Sequence, residues 1–475
     1  MTYHFGTFTA GSWKRRSGGD FVTVNPAQPD EVVGIYDATD AAELDAIFAN
    51  ARRAQAEWGS VPGIQRQSVL EAWLDAVEAR CDEIALAITL EMGKTLADAR
   101  GEILYALKEA RFTIGEASRA IGEVMPSARP GVRNMTLRRP RGVVVAATPW
   151  NYPVLTPLRK LAPAFAHGNA VILKPSEIAP ASACLMAEIA DAHLPRGLFQ
   201  IVLGGPAVGA ALVYHPRADA VTFTGSVETG RRIYVAAAAN LAEVQLELGG
   251  KNGIVVHDAD DLDACADEIV AGTLENGGQR CTSISRVIVR RAIAADLERA
   301  IAARMEAIVV GDGRDPAVGM GPMASAAHFD RVTSMMVRGA GEGARLAAGH
   351  GPRPTGGFFL RPTLYADVRP DMSLAQQEVF GPVLSLIPYD TVDEALAILN
   401  GVEFGLAAAL FSNRLDVVQR FIAEAQAGML HVNHQTGVDP NMPFVGIKNS
   451  GVGAASIGRS SIHFYTTEHS VYIKS

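Results

Sequence analysis

The chain has 475 residues, 48% of them hydrophobic and 20% charged, enough apolar material for roughly two or three domains. Its 43 Lys and Arg against 51 Asp and Glu leave a net charge of -8, which excludes the basic footprint of a nucleic-acid or anionic-membrane binder. The opening "MTYHFGTFTAGSWKRRSGG" lacks the apolar core of a signal peptide, no apolar run reaches membrane-spanning length, and Cys81, Cys184, Cys265 and Cys281 form no CxxC pair, so a cytoplasmic globular protein without disulfides or metal is expected.

Asp40-Ala41-Ala42-Glu43 has the form of a capping box, opening a helix with Leu44, Ile47, Phe48 and Ala51 on one face. Helical pattern continues to about Ile121. "MPSARPGVRNMTLRRPRG" then breaks it at Pro126, Pro130 and Pro140, leaving "RNMTLRR" as an extended excursion. From Arg141 short apolar runs alternate with helical stretches: "GVVVAAT", "NAVILKPSE", "FQIVLGGP", "AVTFTGS" and "EVQLELGG". That alternation predicts a doubly wound parallel sheet whose strands are buried on both faces. Ligands of such sheets sit beyond the carboxyl ends of the strands, so Asn151, Lys174, Glu177, Gly204 and Ser226 are expected around one crevice.

The dinucleotide fingerprint GxGxxG is missing. "GSVETG", Gly225 to Gly230, reads either as a glycine turn opening a phosphate-attracting helix N-terminus or as a plain strand-to-helix turn. A second alternating series, "NGIVVHDADD", "SRVIVRR", "VLSLIPYD", "AAALFS" and "MLHVNH", predicts another α/β domain, which holds Cys281. The final "SSIHFYTTEHSVYIKS" alternates at its end like an edge strand open to another subunit. Within "ENGGQRCTSISRVIV", Gly277-Gly278 imply a sharp bend that another molecule can approach closely, although an inert packing thiol is the ordinary fate of a free cysteine.

"TPWNYP", "KPSE", "FTGS", "LELGGKN", "GQRC" and "QEVFGPV", in this order and separation, resemble the NAD(P)-dependent aldehyde dehydrogenase superfamily. The resemblance runs from "VNPA" near the start to "PFVGIKNSG" and the terminal strand. It implies an α/β fold: a Rossmann-type cofactor domain (1–119 and 141–249), an α/β catalytic domain (250–448) and a small β oligomerisation region (120–140 and 449–475), assembled as a homodimer or homotetramer. It implies that Cys281 attacks an aldehyde to give a thiohemiacetal and then a thioester. Asn151 and the Cys281 amide match the oxyanion donors, and Glu247 matches the base that activates water. Without the other motifs Glu247 would read as a capping or ion-paired carboxylate. Lys160 reads as an aid to proton movement or as a surface lysine.

For the cofactor, Lys174 and Glu177 match positions on the adenosine ribose, where a carboxylate favours NAD while leaving NADP open. Gly225 and Ser226 match the phosphate turn, Glu378 and Phe380 the nicotinamide ribose and ring, and Trp150 is expected beside them. Val227 and Val445 depart from the pattern, which often has threonine and usually glycine there.

Arg159 follows Asn151 by eight residues, at a position that lines the substrate tunnel in the family. Relatives acting on succinate semialdehyde carry arginine at this spacing, and its planar fork suits a distal carboxylate. Arg280 is also expected to face the tunnel and, with nearby amides, to lower the Cys281 pKa. "GQRCTSISRVIV" and "MPFVGIKNSG" resemble dehydrogenases of 2-oxoglutarate semialdehyde, and "HQTGVDPN" is expected to complete the tunnel mouth. An aldehyde bearing a distal carboxylate is therefore the expected substrate, with neutral aliphatic or aromatic aldehydes as the alternative. An internal ion pair for Arg159 and an interdomain contact for Arg280 are the competing structural readings. Three other classes stay in view: a cysteine hydrolase, a CoA-acylating dehydrogenase, whose relatives generally lack the glutamate present as Glu247, and a non-catalytic protein.

Overall fold

The five apolar runs are strands β1 (Val143–Ala147), β2 (Ala170–Lys174), β3 (Phe199–Ile201), β4 (Ala220–Thr224) and β5 (Glu243–Glu247). In a computed structural model, which describes residues 2–16, 18–119 and 122–474, they lie parallel in the order β5-β4-β1-β2-β3. The expected end of the helical pattern at Ile121 lies outside the described residues, as does Ser475 at the end of the terminal alternation. The chain fills one side of β1 first and then crosses to β4, so the strand order reverses between β1 and β4. A crevice opens at such a reversal, and the loops that follow these two strands carry Trp150, Asn151, Gly225 and Ser226.

Two short strands near the start, Thr7–Thr9 and Ser12–Lys14, extend this sheet beyond β3, and Gly451–Val452 pairs antiparallel with β5. Asp40 caps the turn Ala41–Glu43 by accepting from the Ala42 amide at 3.0 Å, and the helix Leu44–Ser60 follows with Leu44, Ile47, Phe48 and Ala51 buried. The capping box is only half formed. Glu43 does not reach back to the Asp40 amide, because its carboxylate accepts from Lys14 Nζ at 3.1 Å instead.

Two further helices position the site. Helix α1 (Leu96–Ile114) packs across α2 (Leu155–Ala166), and every residue of α2 from Thr156 to Ala166 is buried. Leu158, Leu161 and Phe165 anchor α2, each contributing about 1.5–3 kcal/mol by burial. That enclosure carries Arg159 and Lys160, one after the other, into the interior.

The second series forms β6 (Asn252–Val256), β7 (Ile284–Arg290), β8 (Val383–Tyr389), β9 (Ala407–Phe411) and β10 (Met429–Val432). They lie parallel in the order β8-β7-β6-β9-β10, with Thr363–Ala366 and Arg345–Ala348 completing the sheet beyond β8. Helix α3 (Val227–Ala238) follows β4, and α4 (Leu262–Leu274) leads to the turn before Cys281. The extended excursion forms Val132–Pro140, which pairs antiparallel with Thr466–Lys474 on one side and Val124–Met125 on the other. Thr466–Lys474 is an edge strand, with Tyr472 and Ile473 exposed. Among the described residues no helix is long and apolar enough to cross a membrane.

Candidate active site

A cavity of about 790 Å³ opens at the strand reversal of the first sheet and is closed on its far side by the turn before β7. Its walls bring together Trp150, Asn151, Arg159, Gly225, Ser226, Glu247, Arg280, Cys281, Glu378 and Phe380. Lys160, Lys174, Glu177 and Gly204 are not part of the lining.

The thiol is placed by backbone geometry. After α4, Asn276, Gly277 and Gly278 take left-handed conformations, with φ of 55°, 63° and 73°. A Cβ on Gly278 would sit 2.2 Å from the Gly381 carbonyl oxygen, so this position needs glycine. Asn276 is held there because its Nδ2 donates to the carbonyls of Asn151 (3.0 Å) and Gln279 (3.2 Å). Asn252 on β6 donates Nδ2 to the Cys281 carbonyl at 2.7 Å, which ties the turn to the sheet.

Cys281 is half-buried, and its thiol is pushed up to about 12. Burial is the main cause; Glu378 and Glu247 act in the same direction and outweigh Arg159 and Arg280. This corrects the expectation of a lowered thiol pKa. The arginines do act downward, but burial and two facing carboxylates dominate.

Asn151 donates Nδ2 to the Gln279 carbonyl at 2.8 Å, which orients its amide beside the thiol and leaves its second N–H without a protein acceptor among the described residues. Glu247, at the end of β5, accepts from Thr224 Oγ1 at 2.9 Å through Oε2, while Oε1 is buried with no partner among the described residues. Lys160 is no surface lysine: it is fully buried behind Glu247, its Nζ 3.9 Å from Glu247 Oε2 and donating to Thr222 Oγ1 at 2.9 Å. Burial brings its pKa down to about 8, against the pull of Glu247.

At the other end of the cavity, Ser226 caps α3 by accepting from the Thr229 amide at 3.3 Å, and Val227 is the first residue of that helix. Phe380 has φ of 61°, and its carbonyl accepts from His328 Nε2 at 2.7 Å. The Trp150 ring meets Phe380 edge-on at 5.6 Å. Glu378 Oε1 accepts from the Gly250 amide at 2.9 Å, and burial raises its pKa. Lys174 and exposed Glu177 sit at the end of β2, two strands from Gly225, with Lys174 Nζ donating to the Pro175 carbonyl (3.0 Å) and Glu177 (3.5 Å). Val445 is half-buried beside Phe444, and its backbone runs against Gly428.

The two arginines are both paired. Arg159 donates Nε and Nη2 to Glu109 on α1, each at 2.8 Å, and its guanidinium lies over the Phe444 ring at 4.6 Å. The freely available fork expected for a ligand is thus already half used; Nη1 has no acceptor among the described residues. Arg280 pairs through Nη1 with Glu275 and donates Nη2 to the Gly272 carbonyl (3.0 Å) and Gln435 Oε1 (3.2 Å). Tyr152 donates its hydroxyl to Glu275 at 2.7 Å.

Sequence reasoning missed Glu109, Glu275 and Tyr152. The one available signal for the first was Glu102 and Glu109 seven residues apart on one helix face, since Glu102 also points inward and binds Lys94 Nζ at 2.6 Å. The loop "HQTGVDPN" does reach the cavity, through Gln435, Gly437 and Val438. Thr436 Oγ1 donates to the Thr282 carbonyl at 2.6 Å and Tyr105 donates to the Val438 carbonyl at 2.5 Å, which fix the loop.

Residues 13–471 match the model of the aldehyde dehydrogenase family. An α-ketoglutaric semialdehyde dehydrogenase of Bacillus subtilis is 38% identical over 98% of this chain and 97% of its own. A betaine aldehyde dehydrogenase of Cereibacter sphaeroides is 38% identical over 96% of this chain and 94% of its own. The crystal structure of an NAD-dependent aldehyde dehydrogenase from Sinorhizobium meliloti superposes with a TM-score of 0.96 at 34% identity, over 99% of this chain and 95% of that one. The chain belongs to the aldehyde dehydrogenase family.

Proposed function

We propose that the protein oxidises a short semialdehyde with a distal carboxylate, succinate or 2-oxoglutarate semialdehyde, to the corresponding acid, with NAD preferred over NADP. The observation that carries the substrate class is Arg159 in the cavity wall with Nη1 unpaired, on the same cavity as Cys281. The similarity to the Bacillus subtilis semialdehyde dehydrogenase supports it.

The groups at the strand reversal fit a dinucleotide. Gly225 and Ser226 open a helix whose first amides attract phosphate, Glu378 keeps Oε2 for a ribose hydroxyl, and Trp150 and Phe380 give a ring its apolar wall. Lys174 and Glu177, at the end of β2, are the proposed adenosine ribose contacts. When bound, the oxidised nicotinamide supplies the hydride acceptor.

The protein's own groups do the rest. Cys281 Sγ, its proton released to solvent, bonds to the aldehyde carbon while the carbonyl electrons move onto oxygen. The free N–H of Asn151 Nδ2 and the Cys281 amide receive that oxyanion. Once a hydride has left, carbon and sulfur remain joined as a thioester. The carboxylate of Glu247, a residue of the cavity lining, takes a proton from water as the water oxygen attacks the thioester carbon. The C–S bond breaks, and the acid and the thiol are released. Lys160 is a positioning residue, holding Glu247 from behind together with Thr224.

The three-stranded sheet of Val124–Met125, Val132–Pro140 and Thr466–Lys474 supports reading 120–140 and 449–475 as the region through which a homodimer or homotetramer assembles. All four cysteines are free thiols, in keeping with a reducing compartment, and the cytoplasm is the location proposed.

Replacing Arg159 and Glu109 together by leucine tests the substrate class without leaving either charge buried alone. The ratio of kcat/KM for succinate semialdehyde to that for a neutral aldehyde of equal length should fall by roughly tenfold or more, the size of a hydrogen bond to a charged group. An unchanged ratio would remove the distal carboxylate from the proposal.

A further inference from the structure

The ion pairs of the two arginines, Arg159–Glu109 and Arg280–Glu275, differ in one respect. The Glu109 side chain is 2% exposed and enclosed by α1 and α2, whereas that of Glu275 is 41% exposed. Glu275 nevertheless occupies two cavity donors at once, Arg280 Nη1 and the Tyr152 hydroxyl. Arg280 does not depend on it for position: its side chain is only 9% exposed, and Nη2 is held by the Gly272 carbonyl and Gln435. The result is a carboxylate at the solvent side of the cavity that can rotate away while the donors it satisfied stay in place.

A substrate carboxylate has the same charge and the same two oxygens. We infer that Glu275 is a displaceable internal carboxylate that competes with the distal carboxylate of the substrate for Arg280 and Tyr152, and so sets the selectivity of the site for anionic over neutral aldehydes; the inference rests on the substrate class proposed above. With both pairs intact each of the two arginines has its own carboxylate, Glu109 for Arg159 and Glu275 for Arg280. An anionic aldehyde must exchange with Glu275 to gain Arg280, whereas a neutral one binds without that exchange. Glu275 therefore acts through Arg280 and is a specificity-positioning residue.

The test uses Glu275→Gln, which keeps an acceptor for Tyr152 and removes the charge. Dissociation constants of succinate and of its neutral diamide are measured by calorimetry for the intact enzyme and the variant. The ratio of the succinate constant to the diamide constant should fall by about fivefold, the upper range for a partly exposed charge pair. A merely structural disturbance moves both constants together and leaves the ratio unchanged, and an unchanged or higher ratio overturns the inference. If the ratio falls while the intact enzyme oxidises neutral aldehydes best, the substrate class fails and the role of Glu275 stands.

Discussion

Arg159 and Glu109 share two parallel hydrogen bonds of 2.8 Å, Nε to Oε1 and Nη2 to Oε2, in the wall between α1 and α2. Both side chains are almost wholly buried, so each is the other's compensation for lost hydration. Glu109→Gln leaves the guanidinium without its counter-charge and should cost about 3 kcal/mol or more of stability in urea unfolding. The Arg159→Leu/Glu109→Leu double variant should recover most of that loss. If the double variant is as unstable as Glu109→Gln, the penalty does not come from an uncompensated charge.

Glu247→Gln separates the two halves of the reaction. In the proposed mechanism acylation does not use the Glu247 carboxylate, so a rapid burst of reduced nicotinamide should persist in stopped-flow. The steady rate that follows should fall at least about 100-fold, as for loss of a general base. Loss of burst and steady rate in equal measure would give Glu247 a structural role only.

The cofactor-free thiol should be sluggish at neutral pH. With Cys281 pushed up to about 12, its thiolate fraction rises roughly tenfold per pH unit between about pH 7 and 9. The rate of inactivation by iodoacetamide should follow that slope, and Cys281→Ser should abolish it. A rate that levels off below about pH 9 would mean a thiol far more acidic than its burial allows.

His167 gives the fold a pH dependence away from the cavity. It is 2% exposed, neither ring nitrogen has a partner among the described residues, and its pKa is lowered from 6.5 to about 4, first by burial and then by Arg66 and Arg138. Between these values the unfolded chain binds the proton and the folded protein does not, so acidification through this window removes stability. The contribution approaches about 1.4 kcal/mol per pH unit and is absent above the unfolded value. Unfolding free energies of His167→Phe should show a shallower slope over that window, and an unchanged slope would assign it to other groups.

How much of this was legible in the sequence follows from where the information lies. β1, β2 and β4 were readable because a strand covered on both faces is mostly apolar, with Lys174, Thr222 and Thr224 the polar exceptions, and Thr148, Pro175 and Gly225 mark their ends. The turn at Cys281 was readable from Gly277-Gly278. The partner of Arg159 was not, because Glu109 lies 50 residues earlier and meets it only through the crossing of α1 over α2. Glu275 stands five residues before Arg280 with the Asn276-Gly277 turn between them, yet nothing local to the turn shows that it brings these two side chains together. The direction of the thiol shift was misread for a related reason. The neighbouring Arg280 is visible in the sequence, whereas burial and the facing Glu378 and Glu247 exist only in the folded chain.

The most direct measurement is nicotinamide reduction followed by absorbance, with NAD and NADP each tried against succinate, 2-oxoglutarate and glutarate semialdehydes and neutral aliphatic and aromatic aldehydes of matching length. The expected result is NAD reduction with a kcat/KM for the acidic aldehydes at least about tenfold above that for their neutral counterparts. Reduction confined to neutral or aromatic aldehydes would contradict the carboxylate-binding reading of Arg159, and no reduction with any aldehyde would contradict the chemistry assigned to Cys281, Asn151 and Glu247.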